Sequence, residues 1–322
     1  MRTAQLGELT VSAQGLGCMG MSQSYGPGDD TESAATLLRA LELGVTLFDT
    51  SDVYGTTGAG GFGANETLLG RTLTGRRDEL VLATKCGIRD IVRGTAARFV
   101  LDGTPDYLRA ACDASLRRLQ TDHIDLYYLH RVDPNTPIED SIGAMAELVA
   151  AGKVRHLGVS EVTAAQLEAA HGVHPITAVQ SEYSLWTRDI EDEVVPTARR
   201  LGVGIVPFSP LGRGFLAGTV TTTEGMADND SRRRMPRFEA EALRVNQRIV
   251  DTVRDIADHR GVLPGQVAIA WVYSRGDDLV PIPGTKRRTY LEQNVAAVDV
   301  ELTAEDLTRL DDIAEQTVGG RY

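Results

Sequence analysis

Eight times along this chain a short β-branched or aliphatic run gives way to a loop and then to an amphipathic helical stretch. The runs are GLGCM, VTLFDT, LVLATK, IDLYYLH, VRHLGVS, ITAVQSE, GIVPFS and DLVPIPG. Between them lie ESAATLLRALELG, ETLLGRTL, DYLRAACDASLRRLQ, EDSIGAMAELVAAG, AAQLEAAHG, EDEVVPTARRLG and GQVAIAWVYSR. Strict alternation of strand and helix imposes a parallel sheet, because each crossover helix carries the chain back to the same sheet end. Eight units in one run predict an α/β fold, a (β/α)8 TIM barrel, rather than an open doubly wound sheet. Two short segments ahead of the first unit, TAQLG and LTVSAQG, read as an N-terminal β-hairpin around Gly7 and Glu8. A long polar insertion over residues 217–241, with TTTEGMADNDSRRRMPRF, follows the seventh strand, and an additional helix over Leu243–His259 comes next. Loops of that length in a compact domain generally serve as lids or stay disordered.

Composition sets bounds on partners. A barrel of this class takes about 250 residues, so the 322 present fit one domain over residues 1–322 with room for extra loops. The net charge of −12 and an aromatic content of 5% disfavour nucleic acid and anionic membrane as partners. Cys18, Cys86 and Cys112 show no disulfide framework and no metal-ligand spacing, which fits a reducing cytoplasm and no metal site. The start, MRTAQLGELT, has no apolar signal core, and no stretch approaches a membrane span.

In such a barrel the chemistry sits at the C-terminal ends of the strands and on the loops after them. The second strand ends in Asp49 and its loop carries Tyr54; the third ends in Lys85 and the fourth in His130. Reducing a carbonyl requires a hydride donor and an acid for the developing alkoxide. A phenol is a weak acid at its ordinary pKa of about 10. A neighbouring ammonium lowers that value and a carboxylate holds the ammonium in place, roles that suit Lys85 and Asp49. His130 has the chemistry to donate a hydrogen bond to the carbonyl oxygen.

The segments LFDTSDVYG, VLATK, YYLHRVD, GVS, VQSEYS and PFSPLG, in this order, resemble the aldo-keto reductase superfamily. RRRMPRF and IPGTKR resemble its branch of bacterial pyridoxal-type and plant auxin-induced-like reductases. The resemblance implies Tyr54 as general acid/base, with Asp49, Lys85 and His130 completing a tetrad. It implies Ser160 and Gln180 on the nicotinamide carboxamide and Phe208 stacked on the nicotinamide ring. Ser209, Leu211, Gly212 and the long loop would cover the pyrophosphate. Gly284, Thr285, Lys286, Arg287, Gln293 and Asn294 would hold the adenine end. The implied substrate is a small aldehyde or ketone; the oligomeric state is left open. Lys286, Arg287 and Arg288 also stand near a helix start, where cations oppose the helix dipole unless an anion binds. The 2′-phosphate of NADPH or NADP+ fits that anion, so NADP(H) is expected ahead of NAD(H). Two features depart from the family pattern. Glu161 follows the serine of GVS where many relatives have Asn, and GTTGAGGFGANE after Tyr54 is long and glycine-rich.

Other readings of the same residues stand beside this one. Gly58–Gly63 matches the GxGxxG fingerprint, but the next strand ends in Lys85 instead of the acid a dinucleotide fold requires. Asp49 and Lys85 taken alone make an ordinary structural ion pair, and Arg232–Arg234 with Arg237 an ordinary solvated run. Met19, Tyr25 and Trp186 either line the substrate pocket or pack the barrel rim. Two alternative functions remain: a Schiff-base aldolase using Lys85, and a non-catalytic nucleotide-binding regulatory subunit. An adjacent Asp49 disfavours the first by keeping Lys85 charged.

Overall fold

A computed structural model describes residues 1–92 and 98–321. Strands β1 (Thr3–Leu6) and β2 (Leu9–Ser12) form the expected hairpin. The barrel strands follow as β3 (Leu16–Gly17), β4 (Leu47–Asp49) and β5 (Val81–Cys86). A second hairpin, β6 (Ile88–Val92) with β7 (Arg98–Leu101), interrupts before β8 (Ile124–Leu129), β9 (Val154–Ser160), β10 (Ile176–Glu182) and β11 (Gly204–Phe208). All the barrel pairings are parallel, in the order β3-β4-β5-β8-β9-β10-β11.

The eighth barrel segment closes this sheet. Val280 N donates to Ile205 O at 2.9 Å and Ile282 N to Pro207 O at 3.0 Å on one side. On the other, Gly15 N donates to Pro281 O at 3.0 Å and Gly17 bridges Gly284. The last seam is tight: a Cβ on Gly17 would sit 2.8 Å from Ile282 O. The chain is therefore the (β/α)8 barrel that its alternation requires.

Helices α1 (Asp30–Glu42), α2 (Ala64–Leu73), α3 (Pro105–Leu119), α4 (Ile138–Ala150), α5 (Ala164–Val173) and α6 (Val194–Leu201) surround it. They continue as α7 (Ala240–Arg260), α8 (Pro264–Tyr273), α9 (Arg288–Val295) and α10 (Ala304–Ala314). The extra helix expected over Leu243–His259 is α7, longer by a few residues at its start. Helix α10 was not anticipated, although Thr303 and Asp306 make a reciprocal capping box at its start. Among the described residues no helix is long and apolar enough to cross a membrane.

Alternate side chains along each strand face opposite ways, and both faces are buried. Outward residues such as Phe48, Leu82, Tyr127, Val159 and Ile205 pack with the helices. Inward residues Leu47, Ala83, Leu126, Tyr128, Ala178 and Val206 fill the barrel, joined by Val280 and Ile282 of the closing segment. Room for the Tyr128 ring comes from Gly158 opposite, where a Cβ would lie 2.4 Å from the ring. Leu6 and Val11 of the first hairpin belong to the same interior cluster, so the hairpin plugs the end of the barrel away from the strand C-termini.

Leu6 is fully buried. Leu6→Ala should therefore lower stability by about 2–5 kcal/mol, the usual cost of a buried Leu→Ala cavity. The urea midpoint measures it; an unchanged midpoint would show that the plug carries no weight.

Candidate active site

The C-terminal ends of the strands open into a cavity of about 1260 Å³. Behind Tyr54, which lines it, lies Lys85, with no exposed surface, at the end of β5. Its ammonium has three protons and three acceptors. These are Asp49 Oδ1 at 2.5 Å, Thr50 O at 2.8 Å and Tyr54 Oη at 3.2 Å. The other Asp49 oxygen, Oδ2, accepts from Gln180 Nε2 at 2.8 Å. Because Tyr54 Oη accepts from Lys85, its own proton is left without an acceptor among the described residues. Tyr54 and His130 both line the cavity, and their rings meet edge-on, 5.8 Å apart at 83°. The Asp49–Tyr54–Lys85–His130 group is assembled as the strand ends imply.

Electrostatics set the protonation states. Burial pushes the Lys85 ammonium down, but Asp49 and Tyr54 more than offset this and the net shift is upward. A lysine held charged, with every proton bonded, is a poor Schiff-base nucleophile, which counts against the aldolase alternative. Burial pushes the Tyr54 phenol up; Lys85 pulls it down, yet the net direction is up. The simple expectation that the ammonium lowers this pKa thus needs correcting: Lys85 restrains a rise that desolvation would otherwise make larger. Burial, with Lys85 and Arg131 nearby, holds His130 well below the ordinary imidazole value.

Most of the other expected site residues line the same cavity. Ser160, Gln180, Phe208, Ser209 and Leu211 do so on one side, and Gly284, Thr285, Lys286, Arg287, Gln293 and Asn294 at the far end. Met19 and Tyr25 line it as well. Three of the residues singled out lie off the cavity, and for Trp186 this selects the rim over the pocket. Trp186 does not line the cavity; its ring stacks on Phe215 at 4.4 Å and Arg237 lies over it. Gly212 is buried against Trp186, where a Cβ would sit 2.7 Å from the indole nitrogen, so it does not face the cavity either. Arg288 turns outward to Glu32, whose carboxylate also accepts from Arg288 N at 3.1 Å and so caps α9. An acid at that helix start relieves the dipole penalty that the basic run creates.

Lys286 is occupied too, donating to the carbonyl oxygens of Tyr25 at 2.8 Å and Pro27 at 2.7 Å. Ser160 Oγ accepts from Arg131 Nη1 at 3.1 Å. The 217–241 insertion crosses the cavity mouth. Ser231 N donates to Ser24 O at 2.9 Å, and Arg232 pairs with Asp230 while lying over the Tyr25 ring. Glu161 has its carboxylate committed to Glu182 N at 2.8 Å and Arg321 at 2.6 Å. The glycine-rich loop after Tyr54 lies against Ser22, where a Cβ on Gly58 would collide with the Ser22 carbonyl.

Sequence reasoning missed two parts of the cavity. One is the β6–β7 hairpin, which brings Ile88, Ile91, Val92 and Phe99 to the wall beside Tyr54. The other is Arg213, bonded to Glu182 at 2.7 Å in a buried pair. Among the described residues, five non-glycines have positive φ: Ser24, Gln120, Glu161, Ser209 and Arg213. All but Gln120 line the cavity, which concentrates backbone strain where a ligand would bind.

Comparison with known proteins agrees with this geometry. The aldo/keto reductase family model matches residues 14–315. The chain belongs to the aldo/keto reductase family. It is 43% identical over 316 residues to Probable aldo-keto reductase 1 of Glycine max, covering 97% of this chain and 88% of that one. A glycerol dehydrogenase from Gluconobacter oxydans superposes with a TM-score of 0.86 at 27% identity, covering 99% and 97% of the two chains. An aldo/keto reductase from Klebsiella pneumoniae, solved with NADP and acetate, gives 0.75 at 27% identity over 97% and 95%. Members of this family generally reduce carbonyl compounds with a nicotinamide cofactor.

The neutral state of His130 carries a consequence for stability. Below about 6.5 the unfolded imidazole takes up a proton that the folded one refuses, so stability falls as the pH drops. His156, shifted the same way by burial, adds to the slope. Denaturation midpoints compared at about pH 8 and about pH 5 should fall less in His130→Asn than in the wild type. Equal losses would contradict the neutral assignment.

Proposed function

We propose that the protein reduces an aldehyde or ketone to the alcohol, with Tyr54 delivering the proton to the carbonyl oxygen. The observation that carries this is the Lys85 ammonium, whose protons go to Asp49, Thr50 O and Tyr54 Oη, leaving the phenol proton beside the cavity with no acceptor among the described residues. NADPH, when bound, supplies the hydride. Several observations support that cofactor. The cavity is long enough to present an aromatic floor at Phe208 at one end and basic residues at the other. Phe208 would stack on the nicotinamide, and Ser160 and Gln180 would hold its carboxamide. Ser209, Leu211 and the 217–241 loop would cover the pyrophosphate. Arg213 and Arg232, each paired with an acid, also line the cavity and would offer guanidinium donors there.

Arg287 stands just before the start of α9 and lines the far end with Lys286, Gln293 and Asn294. Cations beside a helix N-terminus suit a phosphate, so NADPH is favoured over NADH. Lys286, already clamped to the 25–27 loop, would act there as a fixed charge.

The protein's own groups divide the work. Lys85 stabilises negative charge on Tyr54 once its proton leaves. Asp49 keeps Lys85 in place and is itself held by Gln180. His130, neutral, donates a hydrogen bond to the carbonyl oxygen and orients it. Met19, Tyr25 and the apolar hairpin wall would surround the rest of the substrate and exclude water.

Oxidation of NADPH by an activated aromatic aldehyde, followed by loss of reduced-nicotinamide absorbance, tests the reading. Tyr54→Phe should lose 10²–10⁴-fold in kcat, roughly the range of general acid catalysis, while still binding NADPH. The wild-type reduction rate should hold through neutral pH and decline only above about 10, since burial keeps the phenol protonated. Full activity in Tyr54→Phe would remove the proposed acid. NADPH binding without turnover on a broad set of carbonyls would favour the regulatory-subunit alternative.

A further inference from the structure

His130 meets the protein's side chains through one ring nitrogen: Nδ1 lies 3.1 Å from Ser51 Oγ. Nε2 has no hydrogen-bond partner among the described residues, and the ring lines the cavity. Ser51 Oγ lies 3.2 Å from Asp52 Oδ1 and, less closely, 3.4 Å from the Lys85 carbonyl oxygen. Ser51 and Asp52 have no exposed surface, and Asp52 Oδ2 has no hydrogen-bond partner among the described residues. Three polar side chains thus run in line from the barrel wall to the reacting centre, and neither Ser51 nor Asp52 has a role in the chemistry described so far.

The serine hydroxyl has a single proton to give. If Asp52 were an ionised carboxylate it would take that proton, and His130 Nδ1–H would have to donate to Ser51. Nε2 would then be bare and able only to accept. If Asp52 is a neutral acid, its Oδ1–H donates to Ser51 Oγ and the serine proton turns to Nδ1. The ring proton then sits on Nε2.

The surroundings choose between these. An ionised carboxylate needs donors at both oxygens, and burying one without any is costly. The facing charges are Glu66 and Arg118, already paired to each other at 2.7 Å. Burial, with Glu66 adding to it and outweighing Arg118, Ser51 and the Val53 amide, pushes Asp52 well above the usual carboxylate range. His130 is held neutral, so its ring has one proton to place.

We infer that Asp52 Oδ1–H, Ser51 Oγ–H and His130 Nδ1 form a buried relay that fixes His130 in the Nε2–H tautomer, ready to donate to the substrate oxygen. Asp52 and Ser51 are positioning residues, acting through His130. The use of the Nε2 proton rests on the carbonyl-reductase reading; the tautomer itself does not.

Histidine-selective 15N labelling of the whole protein, read by long-range 1H–15N correlation, reports the tautomer, with His130→Gln identifying the signal. The expected wild-type spectrum has Nε2 protonated and Nδ1 unprotonated. Ser51→Ala should release the ring to a mixture of tautomers and lower kcat about tenfold, the size of one lost hydrogen bond, with KM and NADPH affinity little changed. Asp52→Leu should do the same, and Asp52→Asn, whose amide can donate to Ser51, should restore tautomer and rate together. An Nδ1–H ring or an imidazolium in the wild type overturns the relay, as does an unaltered tautomer in Ser51→Ala. An Nε2–H ring in a protein that reduces no carbonyl would uphold the relay and sink the reductase reading instead.

Discussion

A lysine ammonium buried without any exposed surface is the constraint around which the rest of this site is arranged. Removing such a charge from water costs several kcal/mol, even after the protein relaxes. That cost is offset only if each proton has a partner, and here the partners come from the end of β4 and the loop after it. Asp49, Thr50 and Tyr54 lie within six residues of one another, and β4 pairs directly with β5, which carries Lys85. The parallel register of two neighbouring strands thus decides whether the ammonium is satisfied. Gln180, on the far side of the barrel, completes Asp49 and ties β10 to the same centre. Tyr54 is positioned as a consequence: its oxygen is needed by Lys85, and its proton is left over for the cavity.

The same logic extends to the interior. The barrel fills with inward side chains from alternate strand positions and is closed at its lower end by Leu6 and Val11. That filling keeps water from reaching Lys85 from below. Above, strain gathers in the loops that line the cavity, at Ser24, Glu161, Ser209 and Arg213. Arg321, the last described residue, reaches both Glu161 and Glu182, and Glu182 in turn pairs with Arg213, so two of those loops are tied together through it.

How much of this could be read from the sequence follows from what sequence signals can carry. The eight strands were legible because both faces of a parallel barrel strand are buried, giving short apolar runs between helical patterns. The tetrad was legible because strand ends are fixed points, so Asp49, Lys85 and His130 declare themselves by position. The β6–β7 hairpin was not. Ile88–Val92 faces solvent over much of its length and alternates too weakly to stand out from a loop. Trp186 was ambiguous because an aromatic after a strand suits a pocket or a packed rim equally; Phe215, close in space but 29 residues on, decided for the rim. Glu161 has a left-handed backbone, a conformation that Asn would tolerate more readily than Glu. Its salt bridge to Arg321, 160 residues away, leaves no local mark.

The central claim is that Lys85, held by Asp49, makes Tyr54 an effective proton donor. Replacing both charged partners together, as Asp49→Asn/Lys85→Met, removes the ammonium without leaving an unpaired buried charge, and so tests the claim with the fold preserved. Single-turnover oxidation of bound NADPH by an aldehyde, measured against pH, is the decisive measurement. The account predicts a collapse of the rate by roughly 10²–10⁴-fold with NADPH still bound, because the departing proton leaves an unsupported phenolate. A double variant with the wild-type rate and pH profile would contradict it, and would show the ion pair to be structural alone.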